Sequence, residues 1–207
     1  MKSVLKSHRR SSPASTAGSM TRPPSRAQLR PRLSGRQVQL ISHSPAETRR
    51  LGERLGHLLK GGAVLAVCGD LGAGKTCFIQ GLAKGLEVRE TYLPSPTFIF
   101  IKKYAGRLTL YHVDLYRIDR ASDAEGLGLL ECFDQKSVVA IEWAEKAFEF
   151  LPAVRITVEI KNRGGKERQL LFRIPVELEY EIEKFRHLRT SGSWGKRRKR
   201  SWKNEGA

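Results

Sequence analysis

Residues 69–76 read Gly-Asp-Leu-Gly-Ala-Gly-Lys-Thr, a run whose residue types and spacing suit one kind of chemistry. Glycines let the backbone curl until successive N–H groups face the same anion. In the pattern Gly-x4-Gly-Lys-Thr that backbone cradles phosphates. Lys75 then reaches the β- and γ-phosphates, and the Thr76 hydroxyl ligates Mg²⁺. Gly69, Asp70, Leu71, Gly72, Ala73 and Gly74 are thus candidate nucleotide-binding residues, together with Lys75, Thr76 and Cys77 at the start of the following helix, whose positive end adds to the attraction. The pattern requires a buried strand before it and a helix after it.

Such a loop also needs an acid at the end of a neighbouring strand, to hold the metal or its water. Two are present. Asp114 closes Leu108-Thr-Leu-Tyr-His-Val113, and Glu142 closes Val138-Val-Ala-Ile141. Position along the chain does not rank them, and a strand-end carboxylate also caps helices or pairs with a base such as Arg117. A third element is Pro94-Ser-Pro-Thr-Phe98, where two prolines stiffen a loop that presents the hydroxyls of Ser95 and Thr97. After the glycine loop and its helix, this segment either senses a γ-phosphate, as switch segments do, or leads rigidly into a strand.

Elements must carry these residues. Val38–Ile41 reads as a short strand. Ser44 or Thr48 caps a helix in which Leu51, Leu55, Leu58 and Leu59 repeat at helical spacing, and Gly61-Gly62 ends it. Ala63–Cys68 has the apolar run of a buried strand, and Lys75–Leu86 reads as a helix closed by Gly85. Strands then dominate. Phe98–Tyr104 and Leu108–Tyr116 flank an Ala105-Gly106 turn, Val138–Trp143 follows, and Val154–Ile160 and Gln169–Ile174 flank a turn at Asn162–Gly165. Ser122–Phe133 reads as helical. The alternation predicts an α/β protein: a P-loop NTPase-type three-layer fold with a central, mostly parallel sheet and a strand-rich second half.

The chain has 207 residues, 40% of them hydrophobic, which is room for one core domain and some extra. No apolar stretch approaches the roughly 18–20 residues that cross a bilayer, so no membrane association is expected. The formal charge of +17 sits at the ends. Residues 1–46 hold nine Lys/Arg and no acid, residues 184–207 hold nine and one acid, and residues 47–183 balance at twenty of each. Attraction to a polyanion is therefore mainly a property of the tails.

This divides the chain into a Ser/Arg/Pro-rich extension over residues 1–36, expected to be disordered, a P-loop ATPase domain over 37–183, and a basic tail over 184–207. The extension has the composition of a transit peptide, and equally that of a dispensable leader or of a start displaced from Met20. Cys68, Cys77 and Cys132 are odd in number and form no Cys-x-x-Cys pair, which favours a reduced, cytoplasmic setting over disulfides or zinc.

Gly69–Thr76, Ser95-Pro-Thr-Phe98, His112-Val-Asp-Leu-Tyr-Arg117 and Ile141-Glu-Trp143 occur in that order. Together they resemble the TsaE (YjeE) family, the ATPase subunit of bacterial tRNA threonylcarbamoyladenosine synthesis, over about residues 38–175. The glycine loop is shared by many families; the other three elements are more specific. The resemblance implies a compact P-loop fold that binds ATP and Mg²⁺. It implies TsaB- and TsaD-like partners, which with a threonylcarbamoyl-AMP-forming enzyme modify adenosine 37 of tRNAs reading ANN codons. By that similarity Thr76 and Glu142 stand on the Mg²⁺ side, and Asp114 supports catalysis or water positioning. Trp143 lies beside the nucleotide, Ser44–Thr48 passes near the adenine, and Arg168 is a basic residue placed late in the domain. Cys77 stands where the family usually has threonine; a thiol at a helix start there is expected either to have a lowered pKa or to be a tolerated small residue. The two tails lie outside the family pattern.

Rival classes fare less well. A signalling GTPase needs an Asn/Thr-Lys-x-Asp element, which is missing, and Asp123-Ala-Glu-Gly126 follows Arg120-Ala-Ser122 rather than an apolar strand. A small-molecule or nucleoside kinase usually carries an Arg-bearing lid, and the core has no obvious insertion for one. A nucleic-acid-binding module is disfavoured by the neutral core. It is favoured only by Lys196-Arg-Arg-Lys-Arg200, which Trp194 and Trp202 flank; tRNA contact is thus expected indirectly through the complex, with the tails as the chain's own candidate contact.

Overall fold

The computed structural model describes residues 35–178, so the expectations for residues 1–34 and 179–207, both tails included, lie outside the described residues. Seven strands form one sheet: β1 (Gly35–Ser42), β2 (Ala63–Cys68), β3 (Ile101–Tyr104), β4 (Thr109–Asp114), β5 (Ser137–Glu142), β6 (Ile156–Gly164) and β7 (Glu167–Pro175), in the order β1-β7-β6-β2-β5-β4-β3. The central four, β6-β2-β5-β4, run parallel. Antiparallel neighbours close both sides, β7 and β1 at one and β3 at the other.

Two helices cover one face, α1 (Pro45–Leu58) and α2 (Lys75–Gly85). β2 is buried along its whole length because both of its faces are covered. Leu65 and Val67 pack toward the helices with Leu51, Leu55, Phe78, Ile79 and Leu82, while Val64, Ala66 and Cys68 pack into a second apolar cluster on the opposite face. That opposite layer consists of short 3-10 turns: Ala121–Leu127, Leu130–Cys132, Ala144–Lys146 and Phe148–Phe150. The helix expected over Ser122–Phe133 is therefore two separate turns. Gly128 sits between them at φ +74°, a left-handed cap that ends the first.

Other boundaries moved for local reasons. β1 is longer than Val38–Ile41 because β7 pairs with it from Gly35 to Ser42. The strand expected from Phe98 begins only at Ile101. The amides of Ile99 and Phe100 both turn back onto the Pro96 carbonyl, at 3.0 and 2.7 Å, with Phe100 at φ +60°. Of the two proposed caps for α1, Ser44 holds the position, its Oγ accepting from the Glu47 amide at 3.2 Å. Thr48 lies inside the helix, buried, with its hydroxyl 2.7 Å from that of Ser42.

The helices touch through glycine on both sides. Gly52 and Gly56 of α1, and Gly81 and Gly85 of α2, each lie where an added Cβ would come within 2.5 Å of a backbone oxygen on the facing helix. α2 is thereby pressed against α1, and its first turn carries the glycine loop.

Candidate functional site

β2 ends at Cys68, and the chain turns through Gly69–Gly74 into α2. Gly69 has φ +141°, and a Cβ there would lie 2.3 Å from the Ile160 carbonyl oxygen of β6, so only glycine lets the loop leave the strand so close to the sheet. Gly72 and Gly74 also take positive φ, +73° and +103°, but the space a side chain would fill beside them is open. α2 begins at Gly74 with no side-chain cap, unlike α1. Its first-turn amides keep their capacity for an anion.

Lys75 is buried under this loop. Its Nζ donates to the carbonyls of Gly69 at 2.7 Å and Asp70 at 2.9 Å, and stands 3.6 Å from the ring centroid of Trp143. Burial pulls its pKa below the ordinary lysine range, against the opposing pull of Glu142, Glu145, Asp114 and Asp70. Trp143 adopts φ +56°, uncommon for a large side chain. The turn ends β5 sharply and brings the indole under Lys75, with Tyr116 5.1 Å away.

Asp114 and Glu142 are partners across the β4–β5 ladder, so both project from the carboxyl end of the sheet beside the loop. Their contacts differ. Glu142 accepts from Thr76 Oγ1 through Oε2 at 3.0 Å, and its Oε1 lies 2.8 Å from His112 Nε2. Asp114 accepts through Oδ2 from the hydroxyls of Ser95 and, at 2.6 Å, Thr97, and through Oδ1 from the Tyr116 amide at 2.9 Å. Glu142 thus joins the glycine loop, and Asp114 ties down the Pro94–Phe98 loop, which α2 also holds through Gln80 Nε2 and the Leu93 carbonyl at 3.0 Å. Phe98 and Ile99, next to that tether, are 81% and 62% exposed.

The remaining predicted residues frame the loop. Arg168 reaches over from β7, donating to the carbonyls of Ala73 at 3.1 Å and Gly72 at 3.4 Å, so it braces the loop backbone. Cys77 joins the two helix starts: its thiol donates to the Pro45 carbonyl at 3.2 Å, and Arg49 lies 3.5 Å from the sulfur. Burial raises the Cys77 pKa, with Arg49 and Arg168 offsetting only part of that, so of the two readings the lowered pKa is corrected and the tolerated small residue stands. Ser44 uses its hydroxyl as a cap and Thr48 bonds to Ser42, so these two set the position of α1 beside the site. Asp70 contributes its carbonyl, and Leu71 projects outward, 77% exposed.

Sequence reasoning gave no role to His112, Tyr116 or Glu145. His112 was findable. It lies two residues before Asp114 on a strand, hence on the same face.

A mostly parallel sheet that sets two carboxylates at the carboxyl ends of adjacent strands, beside a glycine loop and a helix start, defines an α/β protein with a polar cluster at that end of the sheet. Within that class the chain belongs to the TsaE family: residues 42–170 match the model of the threonylcarbamoyl adenosine biosynthesis protein TsaE. Among its relatives is the tRNA threonylcarbamoyladenosine biosynthesis protein TsaE of Treponema pallidum, 39% identical over 133 residues, which span 64% of this chain and 98% of that protein. The Bacillus subtilis protein of the same name is 41% identical over 138 residues, 66% of this chain and 85% of the relative. The crystal structure of Bacillus subtilis YdiB superposes with a TM-score of 0.62 at 35% identity, covering 74% of this chain and 96% of that one. No helix among the described residues is long and apolar enough to cross a membrane.

Proposed function

We propose that this chain is a Mg²⁺-dependent ATPase that drives TsaB- and TsaD-like partners in threonylcarbamoylation of adenosine 37 in tRNA. One observation carries the reading: an open glycine loop, an uncapped helix start, a buried lysine and a Thr76–Glu142 pair converge on one spot. That set fits a triphosphate with a hard divalent ion. Mg²⁺ commonly takes one or two protein oxygens and fills its other positions with phosphate and water.

In this reading Thr76 and Glu142 hold the ion, which when bound neutralises charge on the phosphates. Lys75 exchanges its loop carbonyls for phosphate oxygens. Trp143 and the Ser44–Thr48 segment border the nucleotide, and Arg168 keeps the loop carbonyls turned away from it. Asp114 positions the attacking water or the Pro94–Phe98 loop that senses the γ-phosphate. The family's place in threonylcarbamoyladenosine synthesis supports the choice of partners.

Equilibrium binding of ATP and GTP, with and without Mg²⁺, tests the proposal. ATP should bind better than GTP. Lys75→Ala should weaken ATP binding or turnover by about tenfold or more, since a charge-assisted contact is lost. Thr76→Ala should show its defect mainly as weakened Mg²⁺ dependence. GTP binding at or above the level of ATP, or wild-type turnover in Lys75→Ala, would overturn it.

A further inference from the structure

We infer that His112 is a positioning residue for the metal-side carboxylate: its imidazole fixes Glu142 so that Oε2 is presented to Thr76 and the ion. This rests on the proposed Mg²⁺-dependent binding of ATP.

His112 is fully buried, and its Nε2 lies 2.8 Å from Glu142 Oε1. The other oxygen of the same carboxylate meets Thr76 at 3.0 Å. A carboxylate only accepts, so Nε2 carries a proton. Nδ1 is buried with no hydrogen-bond partner. The opposite tautomer would set two acceptors against each other.

An orphan nitrogen in an apolar setting carries a free-energy cost that a leucine would avoid. The bond to Glu142 accounts for a histidine here. The strand register makes that bond possible. Ala140 stands directly across from His112, and its small side chain leaves the imidazole room to reach the next same-face residue of β5, Glu142. Fixing one carboxylate oxygen orients the other, as partners of metal ligands commonly do.

The test is calorimetric ATP binding at stepped Mg²⁺ concentrations for the wild type, His112→Gln, His112→Asn and His112→Leu. Glutamine can place an amide N–H near the Nε2 position; asparagine, one carbon shorter, cannot. ATP binding without Mg²⁺ should agree within about twofold across all four proteins. The Mg²⁺ needed for half of the enhancement should rise about tenfold or more in His112→Asn and His112→Leu, and stay within about threefold in His112→Gln. A Mg²⁺ response shared unchanged by all four proteins overturns this inference and leaves the ATPase proposal standing; a wild type without any Mg²⁺ response brings down both. Nitrogen-15 NMR of the wild-type imidazole checks the same point without a substitution. A proton on Nε2 is expected, and an Nε2 that carries none overturns the inference.

Discussion

Asp114 and Glu142 face each other across one rung of the β4–β5 ladder, yet their oxygens are committed to different neighbours. Glu142 joins Thr76 to His112, while Asp114 collects two hydroxyls and the Tyr116 amide around the Pro94–Phe98 loop. The two should therefore fail in different ways. Glu142→Gln keeps the shape but removes the charge, so turnover should drop by about tenfold or more while Mg²⁺-free ATP binding holds. Asp114→Asn turns one acceptor into a donor opposite Ser95 and Thr97, which should lower turnover with little change in Mg²⁺ requirement. Turnover assays at stepped Mg²⁺ distinguish the two; identical Mg²⁺ curves for both variants would mean that the carboxylates share one duty. Both acids were legible in the sequence as strand-end carboxylates. The family resemblance implied a division of labour between them, but position along the chain could not rank them, because the contacts depend on which oxygens meet across the sheet. Cys77 makes a related point: its place at a helix start left a lowered pKa and a tolerated small residue both open, and burial, which raises the pKa, favours the second.

At the scale of elements, the strands were legible from their apolar runs and the two helices from leucine spacing and glycine stops. The region Ser122–Phe133 was not, because its composition suits a helix while Gly128 supplies a left-handed break inside it. The glycines at positions 52, 56 and 81 were also read past, and Gly85 was read only as a helix stop, since their packing role appears only when α1 and α2 are laid together. Gly81 is the tightest of them: a Cβ there would lie 1.9 Å from the Arg49 carbonyl oxygen. Backbone cannot swing aside as a flexible side chain can. Gly81→Ala should push the helices apart and cost about 1–3 kcal/mol, as overpacking does. The loop at the head of α2 should shift with it, weakening ATP binding as well. Gly126→Ala is the control, since a Cβ there would meet nothing within 4 Å. Urea unfolding of both variants measures the difference, and equal midpoints would show that the close approach carries no weight.

Across the whole molecule, the core carries every motif of the site, and most of the excess charge lies outside the described residues. The proposed ATPase would be useful only if a second protein reads its nucleotide state, through contacts that differ between the two forms. The loop after α2 has the geometry for that. Thr97 is tied inward to Asp114 at 2.6 Å, and within two residues Phe98 and Ile99 stand 81% and 62% exposed, with Arg117 5.1 Å from the Phe98 ring centroid. A γ-phosphate competing for the Thr97 hydroxyl would release or retie this tether, and the exposed apolar pair would move with it. ATP turnover should therefore be weak in the isolated protein and rise markedly with a TsaB–TsaD pair. Thr97→Ala should keep ATP binding within about tenfold of wild type, because one hydroxyl contact contributes about 0.5–1.5 kcal/mol, yet should lose the rise. The measurement is ATP turnover and threonylcarbamoyl transfer to tRNA in a reconstituted mixture. Transfer through many rounds without this protein, or full stimulation of Thr97→Ala, would show that the coupling does not run through this loop.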